Sequence, residues 1–144
     1  KNKRGNYLIP LISTSEVREI SPSGKLINSF KVEGTPFTTL ESTDGNYWIA
    51  CGDGHTLIEV NPNDGQIIRR YNENDIKGVR LFFTAGLCKS ADGNLYICNW
   101  QGHSHDANAA NSPQLFEINQ KGEVIWSLND NQTSGMISAV STIN

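Results

Sequence analysis

The sequence predicts an all-β protein in which short antiparallel strands form a radial or stacked array of similar units. A Gly-Asn turn precedes a short apolar and aromatic run three times, at residues 5–6, 45–46 and 93–94. A period of roughly 40 to 50 residues built from several short strands indicates a repeat array, because no such unit can bury its apolar face alone. No helical periodicity is sustained over ten or more residues, which excludes a mainly helical fold.

Each unit is predicted to contain four strands in a fixed order. An inner strand precedes the Gly-Asn turn, a second follows it, a third carries a glutamate, and an outer strand follows a hairpin glycine. The chain starts out of phase with this order, so each group of four reads second, third, outer and inner. The predicted strands are 7–9, 17–20, 25–30 and 36–41, then 47–49, 57–60, 66–71 and 83–89, then 95–97, 115–118, 123–128 and 136–143. Alternating apolar and polar residues bounded by Gly, Pro, Asn and Asp are typical of such strands.

A longer pattern, Asp-Gly-Asn-x-x-Ile followed by Glu-Val/Ile-Asn-Pro-x-x-Gly-x-Ile-Ile, covers most of the chain. It resembles the bacterial β-propellers of the NHL and quinoprotein-like (PQQ-like) superfamily. Residues 122–126 are similar to the Gly-Lys-x-x-Trp end of the tryptophan-docking motif of PQQ propellers, whereas Arg69 and Asn28 stand at the Trp position in the other units. The resemblance implies a propeller of four-stranded antiparallel blades, but it does not firmly imply any cofactor, so the cofactor is left unknown.

Propellers of this kind usually close a ring of six to eight blades, and about three are present here. We expect one domain, a propeller segment over 1–144, with units at about 4–43, 44–91 and 92–144. Three blades leave two open edges, which natural sheets avoid because unpaired strands recruit other chains. We therefore expect half of a longer propeller, or else a homodimer that closes the ring.

Composition excludes several functional classes. The net charge is −3 and basic residues are not clustered, which disfavours binding to nucleic acid. No apolar stretch approaches the roughly 18 to 20 residues that span a bilayer. The three cysteines, Cys51, Cys88 and Cys98, are expected to be buried free thiols in strands. The resemblance implies an extracytoplasmic location, periplasmic or at the cell surface.

One loop departs from the repeat and marks the candidate site. The turn glycine and the repeat glutamate are 14 residues apart in the first two units but 24 apart in the third. The extra residues lie in Asn99–Pro113, which carries two of the three histidines, and His55 lies in the equivalent loop of the second unit. The connection Asn72–Arg80 is also long, and we expect it to lie on the same face of the propeller as the histidine-bearing loops. Long loops on a rigid scaffold are disproportionately functional.

Two kinds of site are predicted on this face. An exposed indole can stack on a sugar ring while amides and guanidinium groups bind its hydroxyls. The candidate ligand-binding residues are His55, Arg80, Asn99, Trp100, Gln101 and His103. Imidazole and carboxylate ligands suit a divalent metal. The candidate metal ligands are His103, His105 and Asp106.

Trp48 and Trp126 are expected to pack between blades. Glu19, Glu59 and Glu117 recur in every unit, so they are expected to serve the unit by accepting a hydrogen bond from the adjoining strand or blade rather than to catalyse a reaction.

The sequence leaves three functions open. The first is a non-catalytic binding module for a glycan, peptide or protein, since no nucleophile and base can be paired and no catalytic residue is assigned. The second is a propeller enzyme, a lyase, hydrolase or quinoprotein-like oxidoreductase, with a histidine- or metal-centred site that missing blades complete. The third is a structural protein that associates through its open edges.

Overall fold

A computed structural model describes residues 1–142, which form three antiparallel β-sheets and no α-helix. The strands are β1 (Tyr7–Leu11), β2 (Glu16–Ile20), β3 (Leu26–Lys31), β4 (Thr38–Glu41), β5 (Tyr47–Ala50), β6 (Leu57–Val60), β7 (Ile67–Tyr71), β8 (Phe83–Lys89), β9 (Leu95–Trp100), β10 (Leu115–Ile118) and β11 (Val124–Leu128). Two single-turn 3₁₀ helices, Ile12–Thr14 and Ala109–Asn111, lie in loops. The all-β prediction is confirmed.

Every sheet pairs strands that are consecutive in the chain. The first sheet has the order β1-β2-β3, the second β4-β5-β6-β7 and the third β8-β9-β10-β11. Strand β4 contacts both β1 and β8, so the sheets pack side by side through their first strands. This arrangement is that of propeller-like blades, and within residues 1–142 the three sheets form an open array.

The last predicted strand, 136–143, differs from the structure. Residues 136–142 form no strand, and residue 143 lies outside the described residues. The segment nevertheless lies against β8: a Cβ at Gly86 would be 2.7 Å from the carbonyl oxygen of Ser138, and Cys88 Sγ is 3.6 Å from Thr142 Oγ1. It occupies a position beside an inner strand, but no backbone ladder within residues 1–142 makes it a strand.

The repeated glutamates have the structural role that the sequence predicts. The strand that carries the glutamate, β2, β6 or β10, has a register shift directly after it, at Glu19/Ile20, Glu59/Val60 and Glu117/Ile118. In each sheet the glutamate accepts a hydrogen bond from the turn asparagine. The donor and acceptor pairs are Asn6–Glu19 at 2.6 Å, Asn46–Glu59 at 3.3 Å and Asn94–Glu117 at 3.0 Å. The repeat therefore ties each Gly-Asn turn to the irregular end of the neighbouring strand.

The core lies between adjacent sheets, in two apolar clusters. Strand β5 is buried along its whole length because its two faces serve different clusters. Tyr47 and Ile49 pack with Val17 and Phe30 of the first sheet, whereas Trp48 and Ala50 pack towards the third sheet. A strand covered on both faces has a continuous apolar sequence rather than an alternating one. This double burial explains why the run Tyr47–Ala50 lacks polar residues.

The two tryptophans expected between sheets differ. Trp48 is buried and stacks on Tyr71, with ring centroids 6.2 Å apart and an interplanar angle of 12°. Trp126 is 45% exposed and touches only the edge of Tyr96 from its own sheet among the aromatic rings of residues 1–142. Within residues 1–142 no further sheet covers the outer face of β11, so the packing expected of Trp126 stays a prediction.

The cysteines are free thiols, as expected. Cys51 and Cys98 are buried, and Cys88 is half-buried. Burial raises the pKa of the Cys98 thiol to about 11 and also raises the pKa of Cys51, so neither is a ready nucleophile. Cys51 follows β5 directly instead of lying within a strand. None of the helices in residues 1–142 has the length and apolar character needed to cross a membrane.

Candidate functional site

Loops from the second and third sheets enclose a cavity of about 320 Å³ at one end of the strands. The loops are the β5–β6, β7–β8 and β9–β10 connections, as the sequence predicts for the elaborated face. Four of the six predicted ligand-binding residues line the cavity, namely His55, Arg80, Trp100 and His103. The structure thus brings together side chains from both sheets that are up to 48 residues apart in the chain.

The β5–β6 loop is joined directly to β8. The backbone N–H of Gly52 donates to the carbonyl oxygen of Thr84 at 3.1 Å, and the Thr84 hydroxyl donates to the carbonyl of Thr56 at 2.8 Å. Gly52 has φ +48°, and a Cβ there would be 3.0 Å from the Phe83 ring. Glycine therefore lets the loop of the second sheet approach the inner strand of the third.

His55 lies in this loop with its tautomer fixed. Its backbone is in the left-handed region, with φ +50°, and its Nδ1 lies 2.8 Å from the carbonyl oxygen of Phe82. Because a carbonyl oxygen can only accept, the proton is on Nδ1 and the bond requires no positive charge on the ring. Nε2 of His55 is then available as an acceptor or ligand in the neutral form.

His103 comes from the inserted loop and pairs with a residue of the other sheet. Its Nδ1 lies 2.9 Å from Oδ1 of Asp53, so the imidazole donates to the carboxylate. The ring meets Trp100 edge to face at a centroid distance of 4.6 Å, and it meets Phe83 in the same way at 5.4 Å. These contacts hold the imidazole in one orientation although more than half of its side chain is exposed.

Trp100 forms an aromatic wall of the cavity. Its ring meets Phe83 edge to face at 5.4 Å, and the six-membered ring covers Gly102 so closely that a Cβ there would be 2.1 Å from Cζ2. Trp100 also borders a neighbouring cavity of about 330 Å³ with Phe37 and Phe83. The indole is half-buried, so it combines a fixed position with an accessible surface.

Arg80 is the cationic group of the cavity, and two carboxylates contact it. Nε lies 2.6 Å from Oε1 of Glu73, the other end of the guanidinium pairs with Asp106, and the group lies over the Phe82 ring at 4.9 Å. A backbone N–H bond from Asn108, together with Arg80, lowers the pKa of Asp106. With Asp53, the cavity lining contains three carboxylates and one guanidinium, so the cavity is net negative when the imidazoles are neutral.

Two predicted ligand-binding residues serve the loops instead. Asn99 is fully buried: its Oδ1 accepts from the Phe82 N–H at 2.7 Å, and its Nδ2 donates to the carbonyls of Arg80 and Pro113 at 2.9 and 3.0 Å. Gln101 is buried and donates to the Ser112 carbonyl at 2.8 Å. These amides hold the long loops together, and neither lines the cavity.

The predicted metal ligands are not gathered into one set. Among residues 1–142, no group of three or more His, Cys, Asp or Glu side chains could hold a metal ion. His103 pairs with Asp53, Asp106 pairs with Arg80, and His105 is exposed at the rim. The arrangement does not support the hypothesis of a metal site.

Sequence reasoning did not assign Asp53, Glu73 and Phe83 to the site. Glu73 lies in the long connection Asn72–Arg80, and Asp53 lies beside His55 in the loop equivalent to the inserted one, so these positions were the available signal. Their partners, His103 and Arg80, belong to other loops, and only the packing of the second sheet on the third brings them together.

The fold and cavity define the class as an all-β protein with propeller-like sheets and a loop-lined cavity at one end. The chain belongs to the Mal s 1 allergenic protein-like family, whose model matches residues 1–123. This match does not confirm the narrower resemblance to NHL and quinoprotein-like propellers. No curated protein matches the chain.

Solved structures show the same fold. A protein of unknown function from Bacteroides caccae is 52% identical with a TM-score of 0.83, and the match covers 98% of this chain and 52% of that one. Virginiamycin B lyase from Staphylococcus aureus is 13% identical, with a TM-score of 0.68 and coverage of 96% and 42%. A putative exported protein from Bacteroides fragilis is 14% identical, with a TM-score of 0.64 and coverage of 96% and 40%. The chain thus spans about half the length of the Bacteroides caccae protein.

Proposed function

We propose that the chain is part of a non-catalytic β-propeller binding module, whose cavity beside His55, Arg80, Trp100 and His103 binds a glycan. The observation that carries the proposal is the half-buried indole of Trp100 in a cavity lined by oriented polar groups. Such a combination of one flat apolar surface with several directed hydrogen-bonding groups suits a sugar ring.

The charges narrow the ligand class to neutral glycans. The guanidinium of Arg80 already faces Glu73 and Asp106, and Asp53 adds a third carboxylate. An anionic sugar would meet net negative charge. The hydroxyl groups of a neutral sugar can donate hydrogen bonds to the carboxylates and to Nε2 of a neutral His55, which accepts. We therefore expect uncharged sugars to bind in preference to uronic or sulfated ones.

We also propose that the sheets are blades of a ring of six to eight, completed by further blades or by a second copy. The open array and the full-length match to half of a longer relative support this proposal. A location outside the cytoplasm, periplasmic or at the cell surface, is supported by the likeness to an exported protein. The function of the whole module would depend on the surfaces that the added blades contribute.

A titration of intrinsic fluorescence with neutral and anionic oligosaccharides tests the binding site. We expect neutral sugars to quench the emission, and we expect Trp100→Phe and His103→Ala each to weaken binding by about tenfold. Trp126→Phe is the matched control, because it removes an exposed indole that does not line the cavity and should keep the binding. Equal affinity in Trp100→Phe, or a preference for anionic sugars, would contradict the proposal.

A second candidate is an enzyme, a lyase, hydrolase or quinoprotein-like oxidoreductase. The pair of His103 with Asp53 favours it, since a carboxylate that holds an imidazole by Nδ1 leaves Nε2 free to accept a proton. The likeness to a lyase agrees with this use of the fold. Mass spectrometry of oligosaccharides that have been incubated with the chain tests this candidate. Unsaturated fragments that form with the unaltered chain but not with His103→Ala indicate a lyase, and intact sugars argue against an enzyme.

A further inference from the structure

A separate cavity, also of about 330 Å³ but distinct from the one beside Phe37, lies between the second and third sheets. It is at the opposite end of the strands from the histidines. The turns β4–β5 and β8–β9 and the hairpin β10–β11 surround it. Glu59 lines this cavity although the residue is only 4% exposed, and Asp44, Arg69 and Leu95 line it as well. Glu59 is one of the three repeated glutamates. Its surroundings at the contact between the second and third sheets, the second junction, can be compared with those of Glu19 at the contact between the first and second sheets, the first junction.

At the junction of the first and second sheets, the equivalent glutamate is surrounded by donors. Glu19 accepts from Nδ2 of Asn2 at 2.7 Å and from the hydroxyl of Tyr47 at 3.2 Å. Nη2 of Arg4 lies 3.0 and 2.9 Å from its two carboxylate oxygens. Together with the repeated bond from Asn6, these donors satisfy the buried charge. A guanidinium group is thus part of this completed junction.

At the second junction, the repeat replaces three of these donors. The residues at the positions of Asn2, Arg4 and Tyr47 are Ser42, Asp44 and Leu95, respectively. The hydroxyl of Ser42 is used by Asp44 and by the backbone of Asn46, Asp44 carries the wrong charge, and Leu95 has no donor. The side chains that complete the first junction are therefore missing here, and the cavity occupies their place.

Glu59 is left with few partners as a result. Within residues 1–142 its one hydrogen bond comes from Asn46 at 3.3 Å, and Nε of Arg69 lies 3.6 Å from Oε2 without a hydrogen bond. Burial raises the pKa of Glu59, Asn46 and Arg69 oppose this shift, and Asp44 adds to it. Two carboxylates and one guanidinium leave the cavity with one uncompensated negative charge. An added cation would stabilise it.

We propose that this cavity binds a guanidinium ligand, which pairs with Glu59 as Arg4 pairs with Glu19. The ligand could be a free small cation or an arginine side chain of a peptide, and the chemistry at Glu59 is the same for both. A planar donor group can contact both carboxylate oxygens, which a compact ammonium group does less well. Asp44 lines the same cavity, and its carboxylate increases the attraction for a cation.

Calorimetric titration of the chain with methylguanidinium tests the proposal, with methylurea as the neutral analogue of similar shape. We expect one site per chain for methylguanidinium and at least about tenfold weaker binding of methylurea. Glu59→Gln should weaken methylguanidinium binding by a similar factor. Glu117→Gln is the matched control, since it alters the third repeated glutamate outside the cavity and should leave binding unchanged.

Asp44→Arg keeps the test decisive if Glu59→Gln does not fold. This variant restores the residue type found at the first junction, so its own guanidinium should occupy the site, raise the melting temperature and prevent binding of methylguanidinium. A Gly-Arg-Gly peptide that binds more tightly than methylguanidinium would indicate a peptide source, and equal affinity would indicate a free cation. Binding that is equal for methylurea, or unchanged in Asp44→Arg and Glu59→Gln, would overturn the proposal.

Discussion

Glu16 illustrates how a single carboxylate can make the fold sensitive to acid. It accepts hydrogen bonds from Arg18, from the hydroxyl of Ser29 at 2.6 Å and from Lys31 at 3.4 Å. Its side chain is 11% exposed. These bonds, that from Arg18 first, lower its pKa from 4.5 to about 2. The ionised form is therefore favoured in the folded chain, where it joins β2 to β3.

A group whose pKa is lower in the folded chain stabilises the fold above its unfolded pKa. We expect the free energy of unfolding to fall as the pH falls from about 4.5 to about 2, and we expect Glu16→Gln to reduce this loss. Urea unfolding at a series of pH values measures it. Ser29→Ala removes one donor without a charge and should narrow the window. An unchanged acid slope in Glu16→Gln would contradict the assignment.

Asn99 marks a limit of sequence reasoning at the residue scale. The insertion predicted correctly that residues near Trp100 belong to the elaborated face, and His55, Arg80 and His103 do line its cavity. Whether an amide faces a cavity or binds a neighbouring backbone depends on loop packing, and the sequence contains no signal for it. Asn99 satisfies three backbone groups, which sequence spacing does not distinguish from ligand binding.

Strands were more predictable than loops because their signal repeats. The Gly-Asn turns, the glutamates and the hairpin glycines recur in each unit, and within residues 1–142 the structure places a strand at each predicted position except 136–142. A strand there depends on backbone pairing with a partner strand, which the repeat pattern alone does not determine. The inserted loop was visible as a length difference, whereas the bond between His103 and Asp53 depends on how two sheets pack.

Two hairpin glycines, Gly24 and Gly122, allow the cost of backbone strain to be measured separately from the cost of a steric clash. Gly24 and Gly122 both have φ +83°, but a Cβ at Gly24 would meet nothing within 4 Å, whereas at Gly122 it would be 2.0 Å from the hydroxyl of Tyr71. Gly24→Ala should destabilise the fold by about 1 kcal/mol through strain alone. Gly122→Ala should cost more, because Tyr71 must leave its stack on Trp48. Denaturant unfolding measures both, and equal losses would show that Tyr71 moves freely.

At the scale of the whole molecule, the outer strands β3 and β7 each contact the hairpin of the next sheet. Nδ2 of Asn28 donates to the Pro62 carbonyl at 2.6 Å, and Nη1 of Arg69 donates to the Gln120 carbonyl at 2.8 Å. Trp126 holds the equivalent position in β11 and is 45% exposed. The third sheet thus leaves exposed the position that forms a junction in the other two sheets.

We expect this surface to drive self-association of the isolated chain, because exposed aromatic faces and open sheet edges recruit other chains. Trp126→Lys should weaken association by about tenfold or more in sedimentation equilibrium. Ile12→Lys changes an exposed apolar residue in the β1–β2 loop and serves as the control. A chain that is monomeric at all concentrations, or equally affected by both substitutions, would show that Trp126 is not a junction residue.

The bonds from Gly52 to Thr84 and from His55 to Phe82 join the second and third sheets beneath the histidine cavity. Opening either sheet would therefore break part of the cavity wall, and the two sheets should melt as one cooperative unit. A molecule bound in the cavity should therefore stabilise both sheets and raise their shared melting temperature. Heat capacity measurements can then detect a bound ligand even if its binding has no optical signal.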